Sequence, residues 1–198
     1  MEINPVLALQ LRQAFKYGNR FMLFMWRLGL AKFINISPET IGQIMVLTHV
    51  GRKTGAVRKT PVNYFIANNN IYCLAGFGSG SDWYRNILKN PHVEVWLPEG
   101  WWQGKAEDVS QHPDRVELLR QVLIASGFAA RSLGLQPRTM TPEEIEAATR
   151  DYKLIRIRRT VACTGPGGPG DLAWVWPAAT FLLLPLALRH TPKRTRRG

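Results

Sequence analysis

Between residues 43 and 108 the apolar positions fall into short runs, broken by glycine, proline and asparagine. Residues 43–50, Gln-Ile-Met-Val-Leu-Thr-His-Val, predict a strand. Residues 57–67 predict a second, and Pro61 within it calls for an edge or a bulge, because proline donates no ladder hydrogen bond. Asn68-Asn69-Asn70 predicts a hairpin turn into a third strand at 71–75. Residues 92–97 and 101–108 predict a further hairpin around Pro98-Glu99-Gly100. Five short strands with tight connections and one short inserted helix, 82–89, predict a small antiparallel barrel. Helices follow at about 113–126 and 142–150. Residues 153–159, Lys-Leu-Ile-Arg-Ile-Arg-Arg, alternate apolar and basic, as a sixth strand with one buried face does. The expected class is mainly β with flanking helices (α+β).

The two ends read differently. Residues 6–32 predict a helix in which Arg12, Lys16, Arg20, Arg27 and Lys32 interleave with apolar residues, and Gly18 and Gly29 are its weak points. The plainer reading is a helix covering the core with a solvated basic face. The sharper one is a helix lying on a membrane surface. At the other end, Thr164 to Gly170 is rich in glycine and proline and reads as a linker. Leu172 to Leu188 then carries no charge and, as a helix, would reach ~26 Å, slightly under a ~30 Å hydrocarbon core. Trp174 and Trp176 stand where an interfacial aromatic belt would put them. This favours membrane association through 172–188; the alternative is a helix docked on the barrel or on a second subunit. The expected organisation is an N-terminal helical segment at 1–40, a barrel domain at 41–163, a linker at 164–171, and a hydrophobic segment with a basic tail at 172–198.

Composition narrows the classes. Over 198 residues, 45% are hydrophobic and 20% charged, which suits one globular domain with its own core. The net charge of +12 concentrates in residues 1–81 and 152–198, around a mildly acidic middle. Such zones seek phosphate, anionic lipid or nucleic acid. No RNP, KH or helix-turn-helix signature supports nucleic acid, which is not expected as a partner. Cys73 and Cys163 form no CxxC pair, and the four histidines show no i, i+4 spacing, so no metal site is expected. The first residues lack a basic n-region, so the barrel is expected on the cytoplasmic face of a membrane.

Two segments carry candidate chemistry. Gly51-Arg52-Lys53-Thr54-Gly55 is a turn between strands, followed by Arg58 and Lys59. Its four positive charges lie within eight residues and have no acid nearby. Such a turn can cradle phosphate or a polycarboxylate; the plainer alternative is a solvated hairpin turn. Gly76-Phe77-Gly78-Ser79-Gly80, followed by Ser81 at a helix start, is a second anion-binding device. Trp83 and Tyr84 would flank a flat ring or plug the barrel, and Asn86 would cap a loop or meet a ligand. Two such devices beside one barrel suggest a flat, phosphorylated redox cofactor, which carries chemistry that needs no protein nucleophile.

The run Leu47-Thr48-His49-Val50-Gly51-Arg52-Lys53-Thr54-Gly55, with Arg58, Thr60, Pro61 and Val62, resembles the first signature of the deazaflavin-dependent nitroreductase and quinone reductase family. Ala75 to Asn86, closed by Asn90-Pro91, is similar to the second. The resemblance implies an FMN-binding-type split β-barrel and coenzyme F-420, with FMN the second candidate. It implies hydride transfer to a quinone, nitro compound or activated alkene. Carried over residue by residue, Arg52, Lys53, Thr54 and Arg58 would bind the coenzyme's phosphate and oligoglutamate tail. Thr60, Pro61 and Val62 would back one side of the ring. Gly76, Phe77, Gly78, Ser79, Gly80 and Ser81, with Trp83 and Asn86, would form the other wall. The resemblance assigns no catalytic residue; the proton would come from solvent or from Tyr152, the tyrosine available near the C-terminal part.

Two departures stand out. Gly80-Ser81-Asp82 replaces a cationic Lys-His-Pro stretch, and the tyrosine-rich C-terminal part of the family is unmatched. The alternative to a reductase is a non-catalytic split-barrel carrier of a flavin, haem or lipid. Barrels of this sort commonly pair as homodimers, although the apolar first helix could cover the same surface within one chain.

Overall fold

The computed structural model describes residues 17–35 and 42–189. The expected helical stretch 6–16 and the basic tail beyond 189 lie outside the described residues. Six antiparallel strands close a barrel: β1 (Ile44–Val50), β2 (Val57–Ala67), β3 (Asn70–Ala75), β4 (His92–Leu97), β5 (Gly100–Asp108) and β6 (Lys153–Ala162). Around the barrel the order is β1-β2-β3-β6-β5-β4, and β4 returns to β1. All six predicted strands are present. β6 runs three residues further than its alternating stretch, ending beside Trp101 and Trp102 of β5.

Alternation explains the interior. Met45 and Leu47 of β1, Ile71 and Cys73 of β3, Val93 and Val95 of β4, and Ile155 and Ile157 of β6 form one buried cluster. The turn after β2 places Asn68 and Asn69 at positive φ, which asparagine tolerates and a two-residue hairpin requires. Pro61 sits where β2 has β1 as its only partner. Residues 57–63 pair with β1, whereas 64–67 pair with β3. One side of β2 therefore asks Pro61 for no donor, and here the barrel splits. Gly104 marks a bulge, where the β5–β6 register shifts.

Helices cover the outer faces. The described part of the first helix, α1, spans residues 17–27. Gly29, at φ +79°, ends it, and α2 (Ala31–Ile34) follows, so the expected continuous helix is broken where its second glycine stands. Trp26 of α1 is fully buried with Val46 of β1 and Trp96 of β4. Its ring is tilted against Trp96 at 6.3 Å. α3 (Asp82–Lys89) plugs one barrel end with Tyr84 and Ile87. Ser81 holds the N-cap position of α3, but its side chain accepts no capping bond. α4 (Arg115–Ala125) and α6 (Pro142–Ala148) bury Leu119, Val122 and Ile145 against Tyr72 and Leu154. Thr141 and Glu144 form a capping box at the start of α6. The short α5 (Phe128–Ser132), unforeseen in the sequence, follows Gly127.

The glycine- and proline-rich segment after β6 is fastened along its length. Lys59 Nζ donates to the Gly167 carbonyl at 2.9 Å, and the Gly170 N–H donates to the Trp26 carbonyl at 3.0 Å. Asp171 accepts a bidentate pair from Arg27, Nε to Oδ1 and Nη2 to Oδ2, both at 2.9 Å. Beyond it, α7 (Val175–Arg189) begins later than its uncharged run. The intervening residues turn back to α1, where Trp176 Nε1 donates to the Leu28 carbonyl at 2.9 Å. Its 15 residues reach only ~22 Å. No helix among the described residues is long and apolar enough to cross a membrane.

Gly78, at φ +53°, sits so close to residue 151 that an added Cβ would collide with the Asp151 carbonyl. Gly78→Ala therefore combines left-handed strain with a backbone clash. We expect a loss of at least about 2 kcal/mol, read as a melting temperature lowered by about 5 °C or more.

Candidate functional site

The turn after β1 leads the chain across the mouth of a cleft of about 450 Å³ between the β1–β2 turn and α3. The turn is closed by the Gly51 N–H on the Ala56 carbonyl and the Gly55 N–H on the Gly51 carbonyl, both at 2.8 Å. Of the predicted site residues, Arg52, Lys53, Thr54, Arg58 and Thr60 line the cleft from this side. Trp83 and Asn86 line it from α3. Successive helix positions point about 100° apart, so Tyr84 enters the core while its neighbour Trp83, half-buried, faces the cleft.

Pro61, Val62 and the loop Gly76, Phe77, Gly78, Ser79, Gly80 and Ser81 are not among the lining residues. Val62 packs against the barrel core, and the loop lies against Asp151 and Tyr152. Tyr152 borders a separate depression of about 440 Å³, with Ser110, Arg115, Glu143 and Arg150. Its phenol is held above its ordinary pKa by burial.

The cations of the cleft fall into two kinds. Arg52 is engaged within the chain. Its Nη2 meets Asp82 Oδ1 at 2.9 Å, and its backbone N–H and Nη1 donate to Asn86 Oδ1 at 3.1 and 3.0 Å. This contact holds the exposed Asp82 carboxyl below its usual range. Lys53 and Arg58 are exposed and make no ion pair among the described residues. They are available to an anion. Lys59 stacks its Nζ 4.0 Å over the Trp96 ring, and burial lowers its pKa. Lys59 also lines a neighbouring depression with Arg20, Phe24 and Trp96.

Gly51 and Lys59 of the basic turn also line the cleft, as do His49 and Asp82, to which the sequence assigned no part in it. His49 is 2% exposed. It continues the inward row Met45, Leu47, and stands where the apolar interior gives way to the cleft. Its Nδ1 lies 3.2 Å from Asn86 Nδ2, and its Nε2 lies 3.1 Å from Thr60 Oγ1. Burial, reinforced by the charge of Arg58, pushes its pKa down to about 4. The signal was legible only as a pattern: a histidine at the third inward position of an apolar strand.

A family model described as F420H(2)-dependent quinone reductase matches residues 35–135, just over half of the chain. The chain belongs to that family. The matched segment contains every lining residue of the cleft, and membership makes the protein an F-420-dependent oxidoreductase in general type. Among solved structures, the chain resembles an F420 reductase at 19% identity, over 67% of this chain and 94% of that one, with a TM-score of 0.43. It resembles General Stress Protein 26 from Bacillus anthracis at 20% identity, over 66% and 88%, with a TM-score of 0.41. It resembles the heme storage protein HutZ from Vibrio cholerae at 13%, over 71% and 94%, with a TM-score of 0.42. Likenesses this distant carry no functional information.

The neutral state of His49 has a stability signature. Its pKa in the fold lies below its ordinary value of 6.5, so the unfolded chain takes up its proton first as pH falls. Its contribution is complete above about pH 6.5, is lost as pH falls towards about 4, and changes no further below that. Urea unfolding of the protein and of His49→Gln at a series of pH values should show a shallower acid slope in the variant. Equal slopes would mean that His49 does not titrate in this way.

Proposed function

We propose that this protein binds reduced coenzyme F-420 in the cleft between the β1–β2 turn and α3, and passes its hydride to a quinone at a membrane surface. The observation that carries the reading is the pairing of two unneutralised cations, Lys53 and Arg58, with an aromatic wall, Trp83. That combination fits a ligand with a flat ring and an anionic tail. When bound, the reduced coenzyme supplies a hydride, and the acceptor also takes up a proton to become a hydroquinone.

The chain's own part is binding and orientation. Lys53 and Arg58 meet the phosphate or carboxylates of the tail, where a guanidinium can engage two oxygens and an ammonium supplies a point charge. Arg52, already tied to Asp82 and Asn86, holds the β1–β2 turn against α3 so that this geometry persists. Trp83 limits the ring's movement on the α3 side. Fixing donor and acceptor at reactive distance accounts for a large part of such a rate enhancement. Nitro compounds and activated alkenes are accommodated by the same logic, because hydride acceptance requires no particular side chain.

The quinone and the membrane are supported by the family's name and by the molecule's apolar exterior. Tyr17, Phe21 and Phe24 of α1 are exposed, as are Phe181, Leu182, Leu183 and Leu184 of α7. Arg20 lies among the first group. Large exposed apolar residues clustered beside cations suit a helix resting in the interface of the cytoplasmic leaflet. A quinone dissolved in that leaflet would be close at hand.

Titration of the full chain with coenzyme F-420, followed by coenzyme fluorescence, tests the cofactor, with FMN run beside it. We expect F-420 to bind in preference to FMN, and Lys53→Ala and Arg58→Ala each to weaken binding about tenfold, as loss of a charge-assisted contact does. Turnover with a menaquinone analogue should follow. FMN, haem or lipid binding without hydride transfer would make the protein a carrier instead.

Flotation with vesicles containing phosphatidylglycerol tests the surface. The intact chain should float with them, and Phe181→Asp with Leu183→Asp should reduce the bound fraction several-fold. Equal recovery of both proteins in the aqueous layer would remove the membrane from the proposal.

A further inference from the structure

We infer that His49 is a positioning residue: it fixes the direction of a hydrogen-bond chain running Arg52, Asn86, His49, Thr60, so that the Thr60 hydroxyl offers its hydrogen to the cleft. A ligand acceptor oxygen, from a carbonyl or a phosphate, is the group that takes up that hydrogen. The identity of that ligand rests on the coenzyme reading above; the direction of the chain does not.

The direction follows from counting hydrogens. Two N–H groups of Arg52, the backbone N and Nη1, approach Asn86 Oδ1 at 3.1 and 3.0 Å. Both are donors only, so the amide oxygen of Asn86 must face them. The amide nitrogen is thereby turned to His49, 3.2 Å from Nδ1. An amide nitrogen only donates, so Nδ1 accepts and bears no hydrogen. A neutral imidazole carries one N–H, which then resides on Nε2. Nε2 stands 3.1 Å from Thr60 Oγ1 and donates to it. The Thr60 hydroxyl keeps its single hydrogen. Among the described residues nothing else accepts it, and Thr60 lines the cleft.

Reversal is costly at each link. Flipping Asn86 would set its NH₂ against two Arg52 donors. Protonating His49 would set Nδ1–H against the Asn86 NH₂ in a site only 2% exposed to water, beside the positive Arg58. The depressed pKa of His49 agrees with this geometry. The result is selective as well as attractive. A ligand that presented only a donor at Thr60 could use the second lone pair of the hydroxyl, but would leave the hydroxyl's own hydrogen without an acceptor.

Two measurements on the full chain test this. Long-range proton–nitrogen spectra of the histidine rings at pH 7, with the His49 signals assigned by their loss in His49→Gln, should show a neutral ring with its hydrogen on Nε2. A ring protonated on Nδ1, or on both nitrogens, would overturn the inference without reference to any ligand.

The second is a double-mutant cycle read by coenzyme F-420 fluorescence. Thr60→Val and His49→Phe should each raise Kd about tenfold, and the double variant should be no weaker than either. Thr60→Ser should bind as the parent does, and His49→Gln, whose amide can accept from Asn86 and donate to Thr60, should recover much of the loss in His49→Phe. Additive losses near a hundredfold, or an unchanged Kd in Thr60→Val, would overturn the inference. Should the parent chain not bind the coenzyme at all, the coenzyme reading falls, and the ring spectrum alone decides the direction of the chain.

Discussion

β1 is buried on both of its faces, and the rest of the molecule is arranged around that constraint. Met45 and Leu47 point into the barrel; Val46 points out, under Trp26 of α1. Laterally β1 pairs with β2 over its whole length and with β4 through Val46, Leu47 and Thr48. A seven-residue strand thus closes the barrel, seats the first helix and leads straight into the β1–β2 turn. Burying an aliphatic side chain is worth roughly 1.5–3 kcal/mol, so the strand's inward and outward rows together anchor the barrel and α1 to each other. The cleft inherits its rigidity from this arrangement, because its first residue, His49, is still part of the strand.

The same arrangement separates charges that look alike in the sequence. Arg52, Lys53, Arg58 and Lys59 lie within eight residues, and all read as one basic patch. In the fold they divide by partner. Arg52 joins α3 to the turn, Lys59 covers Trp96 and reaches Gly167, and only Lys53 and Arg58 remain uncommitted. Asp82, an acid that composition alone would set against anion binding, serves to hold Arg52 in place. Asp82 therefore offsets the charge of Arg52, Lys59 is held by neutral partners, and Lys53 and Arg58 are the cations left to turn towards a ligand among the described residues.

Much of this was legible in the chain. Short apolar runs between turn residues marked five strands and alternation marked the sixth, whose inward side is apolar and whose outward side is basic. Asn68-Asn69 marked its hairpin, since positive φ restricts the choice of residue. Other features depend on contacts that spacing cannot express. His49 reads as one more strand residue until Asn86, thirty-seven positions away, is brought against it. Within the loop from Gly76 to Ser81, Gly78 answers to the close approach of Asp151, which spacing does not express. The stretch from Thr164 to Gly170 has linker composition, yet backbone carbonyls and N–H groups, which composition does not record, hold it against Lys59 and Trp26.

That fastened stretch bears on how the molecule comes into being. Arg27 and Asp171 are 144 positions apart, and the contacts at Gly170, Leu172 and Trp176 join the same two regions. Synthesis proceeds from the amino end, so α1 emerges long before the segment that secures it. The barrel strands complete their ladders once β6 is made, but the seam between the first helix and the chain's later part closes only afterwards. Among the described residues, the barrel side chains under α1 are Val46, Trp96 and Trp101. The seam therefore joins residues synthesised early to residues synthesised late, across the outside of the barrel.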